Sequence, residues 1–345
     1  MRTTSRYRAA ARMAAAIGVV SLLAACSGNG GTTGTGATGG NEAGGYPDQN
    51  ITIVVPFSAG GPTDTVTRMI AEPMAAKLGG KIVVQNVEGA GGTVGAGEVA
   101  RAKPDGYTVL MHHIGMSTAP ALYKNLGYKP LESFQTVGLV TEVPMTVVAR
   151  KDFAPATLQD LVTHVKANAD KVTLANAGIG AASHLCGLLF QTATGVKLQE
   201  VPYEGTGPAL TDLVGGQVDF MCDQTTNTSG QISAGEVKAY AVTTPERVKS
   251  LPDVPTTTEA GLPKLQVSVW HGLYVPTGTP QEVVQKLSEA LKVALADQKV
   301  IDQMAKLGTA PVPAEDATPQ AHRTKLEEQL GTWAKVITDA GVKVS

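Results

Sequence analysis

A short β-branched run that stops at a glycine turn constrains this chain more than any other stretch. Ile51–Val55 is long enough for one buried strand and too short for a helix. Phe57, Ser58, Ala59, Gly60 and Gly61 follow, and Pro62 suits the first turn of a helix. Beyond them Val66, Met69, Ile70, Met74 and Leu78 recur close to helical spacing. The order is strand, small-residue turn, helix. Such a turn gathers unpaired backbone N–H groups and the positive end of a helix at one point, where a small anion can sit. A plain βα connection has the same spacing. No Gly-Lys-Ser/Thr follows and no G-x-G-x-x-G is present, so this is neither a phosphate loop nor a dinucleotide fingerprint.

The same unit recurs. A strand over 81–85 ends in a glycine-rich turn, 86–95, that opens a helix running to about residue 102. A strand over 107–112 leads into His112, His113 and a stretch to Thr118 that reads as a third loop at the same sheet edge. Successive βα units imply a parallel sheet with helices on its faces, and ligands bind such sheets at the strands' carboxyl ends. Residues 138–149 are apolar, interrupted by Glu142 and Pro144, and 145–149 reads as a strand leaving the first domain. The second half repeats the pattern. A strand over 172–176 runs through Gly178, Ala181, Ala182, Ser183 and His184 into a helix over 186–195. Strands over 198–203 and 218–222 flank a helix over 208–214, and the later strand delivers Asp223, Gln224, Thr225, Thr226 and Asn227. A strand over 237–243, a Thr/Pro-rich loop over 245–263 and a run over 267–275 carry the chain back to closing helices. The expected fold is α/β and two-lobed, with a ligand cleft between two α/β domains joined by two crossings, a topology suited to closure. Its domains are 47–143 plus 271–345, and 144–270.

The first 46 residues read as processing and tether, not fold. Arg2, Arg6, Arg8 and Arg12 precede a small apolar stretch ending in Leu23-Ala24-Ala25-Cys26, which predicts an export signal over 1–25, too short to span a bilayer. Leu-Ala-Ala-Cys resembles a bacterial lipobox, which places a lipid on Cys26; ordinary secretory cleavage nearby is the alternative. Residues 26–46 are rich in Gly and Thr with one charge, Glu42, a composition that buries no core and serves as a flexible tether. Without those four arginines, 28 cationic residues fall to 24 against 30 acids, and the net charge nears −6. No basic cluster survives, which argues against nucleic acid and anionic lipid as partners. A bound anion must be held by local dipoles. Cys186 and Cys222 remain; in an exported protein they are a possible disulfide, with two buried thiols as the alternative.

Several motifs together carry a family resemblance over nearly all of the chain beyond the tether. They are the 55–64 turn, Glu88-Gly-Ala-Gly-Gly92, Pro104-Asp-Gly-Tyr107, Pro202-Tyr203-x-Gly205-x-Gly-Pro-Ala209, Gly215-Gly-Gln-Val-Asp219 and Leu251-Pro-Asp-Val-Pro255. In this order they resemble the Bug-type receptors of tripartite tricarboxylate transporters, exported binding proteins of periplasmic-binding-protein type. The resemblance implies capture of a small organic carboxylate and a membrane permease of one large and one small subunit as partner. It implies no cofactor. It also implies that two βα turns clamp the carboxylate, mostly through backbone N–H groups. Here those turns hold Phe57, Ser58, Ala59, Gly60 and Gly61 on one side and Gly178, Ala181, Ala182, Ser183 and His184 on the other. Phe57 is expected as a wall, Ser58 and Ser183 as hydroxyl donors, and Asp64 as an organiser of its turn. The second turn departs from the family's more polar pattern at Ala181-Ala182, so contacts there are expected from backbone alone. Specificity is expected to lie distally, at 115–118, Tyr203 and 223–226, with Ser117, Asp223 and Thr225 as contacts. Asp223 repels a second carboxylate and pairs with an ammonium, which points to an acidic amino acid; as a turn cap facing away it leaves a di- or tricarboxylate open.

Other chemistry is set aside. His112 and His113 are neighbours on a strand, so their side chains are expected on opposite faces, and no His-Glu-x-x-His or Cys-x-x-Cys accompanies them; no metal site is expected. Ser183-His184 is not a catalytic dyad, and no Gly-x-Ser-x-Gly elbow is present. The chain is therefore expected to be a receptor, not an enzyme, lipid-anchored with its body outside the cytoplasm. A periplasmic sensor that feeds a membrane kinase is the alternative.

Overall fold

The computed structural model describes residues 45–342. The expected signal segment, Cys26 and nearly all of the tether lie outside the described residues. Among the described residues no helix is long and apolar enough to cross a membrane.

The first half opens with β1 (Ile51–Val55), α1 (Pro62–Leu78), β2 (Ile82–Asn86), α2 (Thr93–Ala100), β3 (Thr108–His113), α3 (Gly115–Leu122) and the single turn α4 (Pro130–Ser133). A long β4 (Phe134–Arg150) leads into α5 (Leu158–Ala167), β5 (Thr173–Asn176), α6 (Ala182–Thr194), β6 (Gln199–Pro202), α7 (Thr206–Val214), β7 (Phe220–Gln224), α8 (Thr225–Ser233) and β8 (Val237–Val242). The chain returns through β9 (Ser268–Pro276) and ends in α9 (Gln281–Leu295), α10 (Gln298–Lys306) and α11 (Pro319–Asp339).

Nine strands form one continuous arrangement, β2-β1-β3-β9-β4-β7-β5-β6, with β8 also paired to β4. Strands β2, β1 and β3 are mutually parallel, as are β6, β5 and β7, so the βα turns of each half gather at one sheet edge. β4 joins the halves. It runs antiparallel to β9 as far as Pro144, and from Met145 to β7 and β8. The apolar stretch interrupted by Pro144 is therefore one 17-residue strand. Proline cannot donate to a ladder, and here its missing N–H falls where one set of partners gives way to the next.

Alternation along β1 shows how the core is divided. Ile51, Ile53 and Val55 pack with α1 and α9, while Val54 joins the cluster on the opposite face. α9 contributes Val283, Val284, Leu287, Ala290, Leu291, Ala294 and Leu295, the stripe its spacing predicts. The two α/β halves thus use both sheet faces, as expected for α/β units.

Two segments differ from the sequence reading. The expected loop after β3 is the helix α3, in which the Ser117 hydroxyl donates to the Ile114 carbonyl at 2.6 Å and the Thr118 hydroxyl to the Gly115 carbonyl at 3.1 Å. Residues 225–233 have poor helix propensity yet form α8, because tertiary bonds override propensity: the Thr228 and Thr146 hydroxyls lie 2.9 Å apart, and Thr225 donates to the Gly308 carbonyl at 3.3 Å.

Cys186 on α6 and Cys222 on β7 form a disulfide, with Cα atoms 5.9 Å apart and a sequence separation of 36. It ties the helix whose N-terminus faces the cleft to the strand that carries Asp223. Loop entropy alone assigns it about 3–4 kcal/mol. The double variant Cys186→Ala/Cys222→Ala is expected to lose that much in denaturant unfolding, with ligand contacts otherwise unchanged.

Candidate functional site

The turns before α1 and α6 face each other across the cleft. Neither helix has a side-chain cap: Gly61 and Ala181 occupy the cap positions in extended conformation. The first-turn N–H groups, which have no partner within the helix, are left to meet something else. Each turn is held in shape by side-chain hydrogen bonds. Gly60 N–H and Arg68 Nε each donate to the Asp64 carboxylate at 2.9 Å, and Asn86 Nδ2 donates to it at 3.0 Å. Asn86 also donates to the Phe57 carbonyl at 2.9 Å. Burial alone raises the Asp64 carboxyl, but hydrogen bonds from Arg68, Gly60 and Asn86 outweigh it and hold the group below its usual range. Asp64 organises the turn. In the second turn, Gly178 N–H donates to Asn176 at 2.9 Å, Gly180 N–H to His184 Nδ1 at 3.2 Å and Ala177 N–H to the Ser183 hydroxyl oxygen at 2.8 Å. Because that oxygen accepts, the Ser183 proton is available to a ligand.

Between the turns lies a narrow cavity of about 20 Å³, room for roughly one water molecule, so a ligand enters only as the turns move apart. It is lined by Phe57, Gly61, Pro62, Thr63, His113, Ala177, Ala181, Ala182, Ser183, Thr206, Asp223 and Gln224. Its two sides differ in chemistry. The turns and Ser183 offer donors. Opposite them, Asp223 and Gln224 offer acceptors: the Asp223 carboxylate takes N–H bonds from Gln224 and Asn227, and the buried Gln224 side-chain oxygen has no hydrogen-bond partner among the described residues. Burial pushes the Asp223 carboxyl up to about 6, against the opposing pull of Asn227, Thr206 and the Gln224 N–H. A ligand that carries a carboxylate at one end and a donor cation at the other matches both sides.

The third wall is aromatic. Phe57 packs with Ala177 and Ala181, and its ring stacks on His113 at 4.5 Å, with His112 edge-on at 5.7 Å. The expectation that the two histidines face opposite ways is corrected here. β3 ends at His113, and Gly92 leaves a pocket: a Cβ there meets Phe57 at 2.7 Å and His112 at 3.1 Å, so both rings reach Phe57. Gly115 N–H donates to His113 Nδ1 at 2.9 Å, which places the proton of the neutral ring on Nε2. Burial lowers all three clustered histidines, with His112 near 4 and His271 near 3, and repulsion from its two neighbours lowers His113 further. The wall is uncharged at neutral pH, and among the described residues no His, Cys, Asp or Glu cluster could hold a metal.

Six of the residues singled out from sequence line the cavity: Phe57, Gly61, Ala181, Ala182, Ser183 and Asp223. Ser58, Ala59, Gly60, Ser117, Gly178, His184 and Thr225 do not. Ala59 and Gly60 form the exposed outer tip of their turn. Ser58 spends its N–H on the Glu204 carbonyl at 3.2 Å, and the Ser117 and Thr225 hydroxyls are committed to carbonyls of Ile114 and Gly308. His184 lies behind its turn, with Nε2 3.6 Å from Glu200. Gln224, in the distal segment expected to set specificity, also lines the cavity. Sequence reasoning did not single out Thr63, His113 or Thr206 as lining residues. His113 ends a parallel strand at the ligand edge, and that position is the signal that could have found it. A wider groove, about 980 Å³, runs between α1 and α10 on the outside, with apolar walls such as Met69, Pro73 and Val300 rimmed by charged side chains such as the Lys299–Glu72 pair at 3.3 Å.

Residues 66–342 match the tripartite tricarboxylate transporter family receptor, TctC. The chain belongs to that family. It is thus a solute-binding receptor of periplasmic-binding-protein type and not an enzyme. Solved TctC-type structures share its fold. It is similar to the periplasmic binding protein BugD, at 53% identity and TM-score 0.85 over 87% of this chain and all of that one. MatC of Rhodopseudomonas palustris with bound malate matches at 42% identity and TM-score 0.83, covering 85% of this chain and all of that one. R. palustris Rpa4515 with adipate matches at 30% identity and TM-score 0.82, covering 87% and 100%.

Proposed function

We propose that this TctC receptor captures a small organic carboxylate between the turns at 57–61 and 178–183 and delivers it to a membrane permease of one large and one small subunit. The observation that carries this reading is the paired, uncapped N-termini of α1 and α6 on one small cavity. Malate bound to MatC and adipate bound to Rpa4515 support the ligand class. In this reading two lobes, 47–143 plus 271–345 and 144–270, close around the acid. A lipid on Cys26 and the Gly/Thr-rich tether hold the body beside the membrane, outside the cytoplasm. The carboxylate meets the helix N-termini and Ser183, the carbon skeleton lies against Phe57, and Asp223 with Gln224 receives an ammonium group. An acidic amino acid, L-aspartate or L-glutamate, fits these demands better than a dicarboxylate, whose second charge faces Asp223.

Thermal unfolding of the tether-free body with L-aspartate, L-glutamate, L-malate, adipate and citrate tests this. At least one acid is expected to raise Tm, with the amino acids ahead. No shift with any of them at millimolar concentration contradicts the carboxylate reading, and a shift with the dicarboxylates alone contradicts the role given to Asp223.

A further inference from the structure

The Glu88–Gly92 motif lines no part of the cavity, yet its backbone is the most unusual in the fold. Gly89, Ala90, Gly91 and Gly92 have φ values of 130°, 47°, 61° and 95° in succession. Ala90 is the one non-glycine residue with positive φ among the described residues, and a side chain in that region costs about 1 kcal/mol. That conformation presents the Ala90 carbonyl to two hydroxyls, Thr93 at 2.9 Å and Tyr123 at 2.8 Å. The Tyr123 hydroxyl also lies 2.8 Å from the Ile179 carbonyl, in the turn that precedes α6. One phenol proton is thus shared between carbonyls on the two sides of the cleft.

The neighbouring contacts converge on the same turn. The Thr118 hydroxyl proton, within reach of the Gly115 carbonyl, is shared with the Gly180 carbonyl at 3.0 Å. A Cβ on Gly91 lies 1.9 Å from the Ile179 oxygen, and one on Gly178 lies 3.1 Å from the Gly91 nitrogen, so the two backbones meet where no side chain fits.

We propose that Gly89–Gly92, Thr118 and Tyr123 form a latch that grips the carbonyls of Ile179 and Gly180 on closure. The latch holds the turn that aims the N-terminus of α6 into the cavity. The inference rests on the reading of two lobes closing around a carboxylate. Gripping the carbonyls fixes the peptide planes whose other faces lead into α6, so Tyr123 and Gly91 are positioning residues and do not touch the ligand. The shared proton also makes the latch reversible. On opening, the Tyr123 hydroxyl keeps the Ala90 carbonyl, and the Ile179 carbonyl turns to water, so neither group is orphaned.

Tyr123→Phe keeps the ring and removes one donor. The test measures dissociation by stopped flow with whichever of L-aspartate, L-glutamate, L-malate and adipate the wild type binds, alongside Tm without ligand. Dissociation is expected to speed up about three- to tenfold, as for loss of one hydrogen bond, with association unchanged and any fall in unliganded Tm, from loss of the Ala90 bond, too small to account for it. Gly91→Ala is expected to weaken binding further and to abolish the ligand-induced contraction in small-angle scattering, with its far-ultraviolet circular dichroism unaltered. Unchanged dissociation in Tyr123→Phe, or a fall in unliganded Tm that accounts for the whole effect, overturns the latch. If the wild type binds none of the acids, the carboxylate reading fails and the latch falls with it.

Discussion

Asp223→Asn is expected to weaken L-aspartate or L-glutamate binding by about two to three orders of magnitude, while L-malate binding is retained or improved. Removing one partner of a buried ion pair costs about 3–5 kcal/mol, because the other charge is left unpaired. For a dicarboxylate the same change removes a buried like charge. The pH dependence separates the two cases independently. In the unliganded protein burial holds the Asp223 carboxyl at about 6. An ammonium favours the ionised form, so binding releases a proton, and amino-acid affinity rises as pH passes upward through 6. A second carboxylate favours the protonated form, so binding takes up a proton and affinity falls over the same range. Stability without ligand follows from the same shift. The folded-state value lies above the ordinary 3.8, so the Asp223 contribution is fully present below about pH 4 and is lost as pH rises through 6. That loss is of the order of 2–3 kcal/mol. Wild type is therefore expected to lose Tm relative to Asp223→Asn between pH 4 and 7. Titration calorimetry at pH 5 and pH 7.5, with unfolding scans of both proteins, checks every part.

Gly205→Ala is expected to reduce affinity for every ligand by about a hundredfold or more while leaving the unliganded fold intact. Gly205 has φ of 173°, extended backbone open to any residue, so alanine meets no conformational penalty there. What alanine meets is the other turn: its Cβ lies 1.9 Å from the Ser58 hydroxyl oxygen, 2.8 Å from the Ser58 nitrogen and 2.9 Å from its Cβ. The hydroxyl can rotate away, but the nitrogen cannot, and that nitrogen donates to the Glu204 carbonyl at this seam. Blocked closure leaves the ligand wet and held from one side, which forfeits about 3 kcal/mol of a clamp's contacts and corresponds to that hundredfold. The contrast with Asp223→Asn is diagnostic, since one substitution changes which acid binds and the other weakens all of them. Equal affinity in Gly205→Ala and wild type contradicts the seam as a closure contact.

Much of this was legible in the chain itself, for reasons that differ along its length. β1 and the turn before α1 stood out because β-branched residues, paired glycines and Pro62 each carry a backbone preference that packing need not supply. Residues 115–118 and 225–233 were obscure because their helices are held by bonds to other elements, such as Thr146 to Thr228, which local sequence does not record. In the cavity, Phe57, Ser183 and Asp223 were found because they flank βα turns. Gln224 fell within the distal segment 223–226 for the same reason, whereas Thr206 opens a helix whose approach to the cavity is set by tertiary packing. Ser117 looked like a specificity residue and instead closes the first turn of α3. The Glu88–Gly92 motif was visible only as glycine-rich sequence. What its glycines leave room for is the Ile179 carbonyl, nearly ninety residues away in the chain.

Native mass spectrometry of the body purified without refolding tests the central claim most directly. The account predicts a retained small acid, with a mass matching L-aspartate or L-glutamate, that is lost in Gly205→Ala. A bare protein mass that stays bare when each acid is added at millimolar concentration would contradict it.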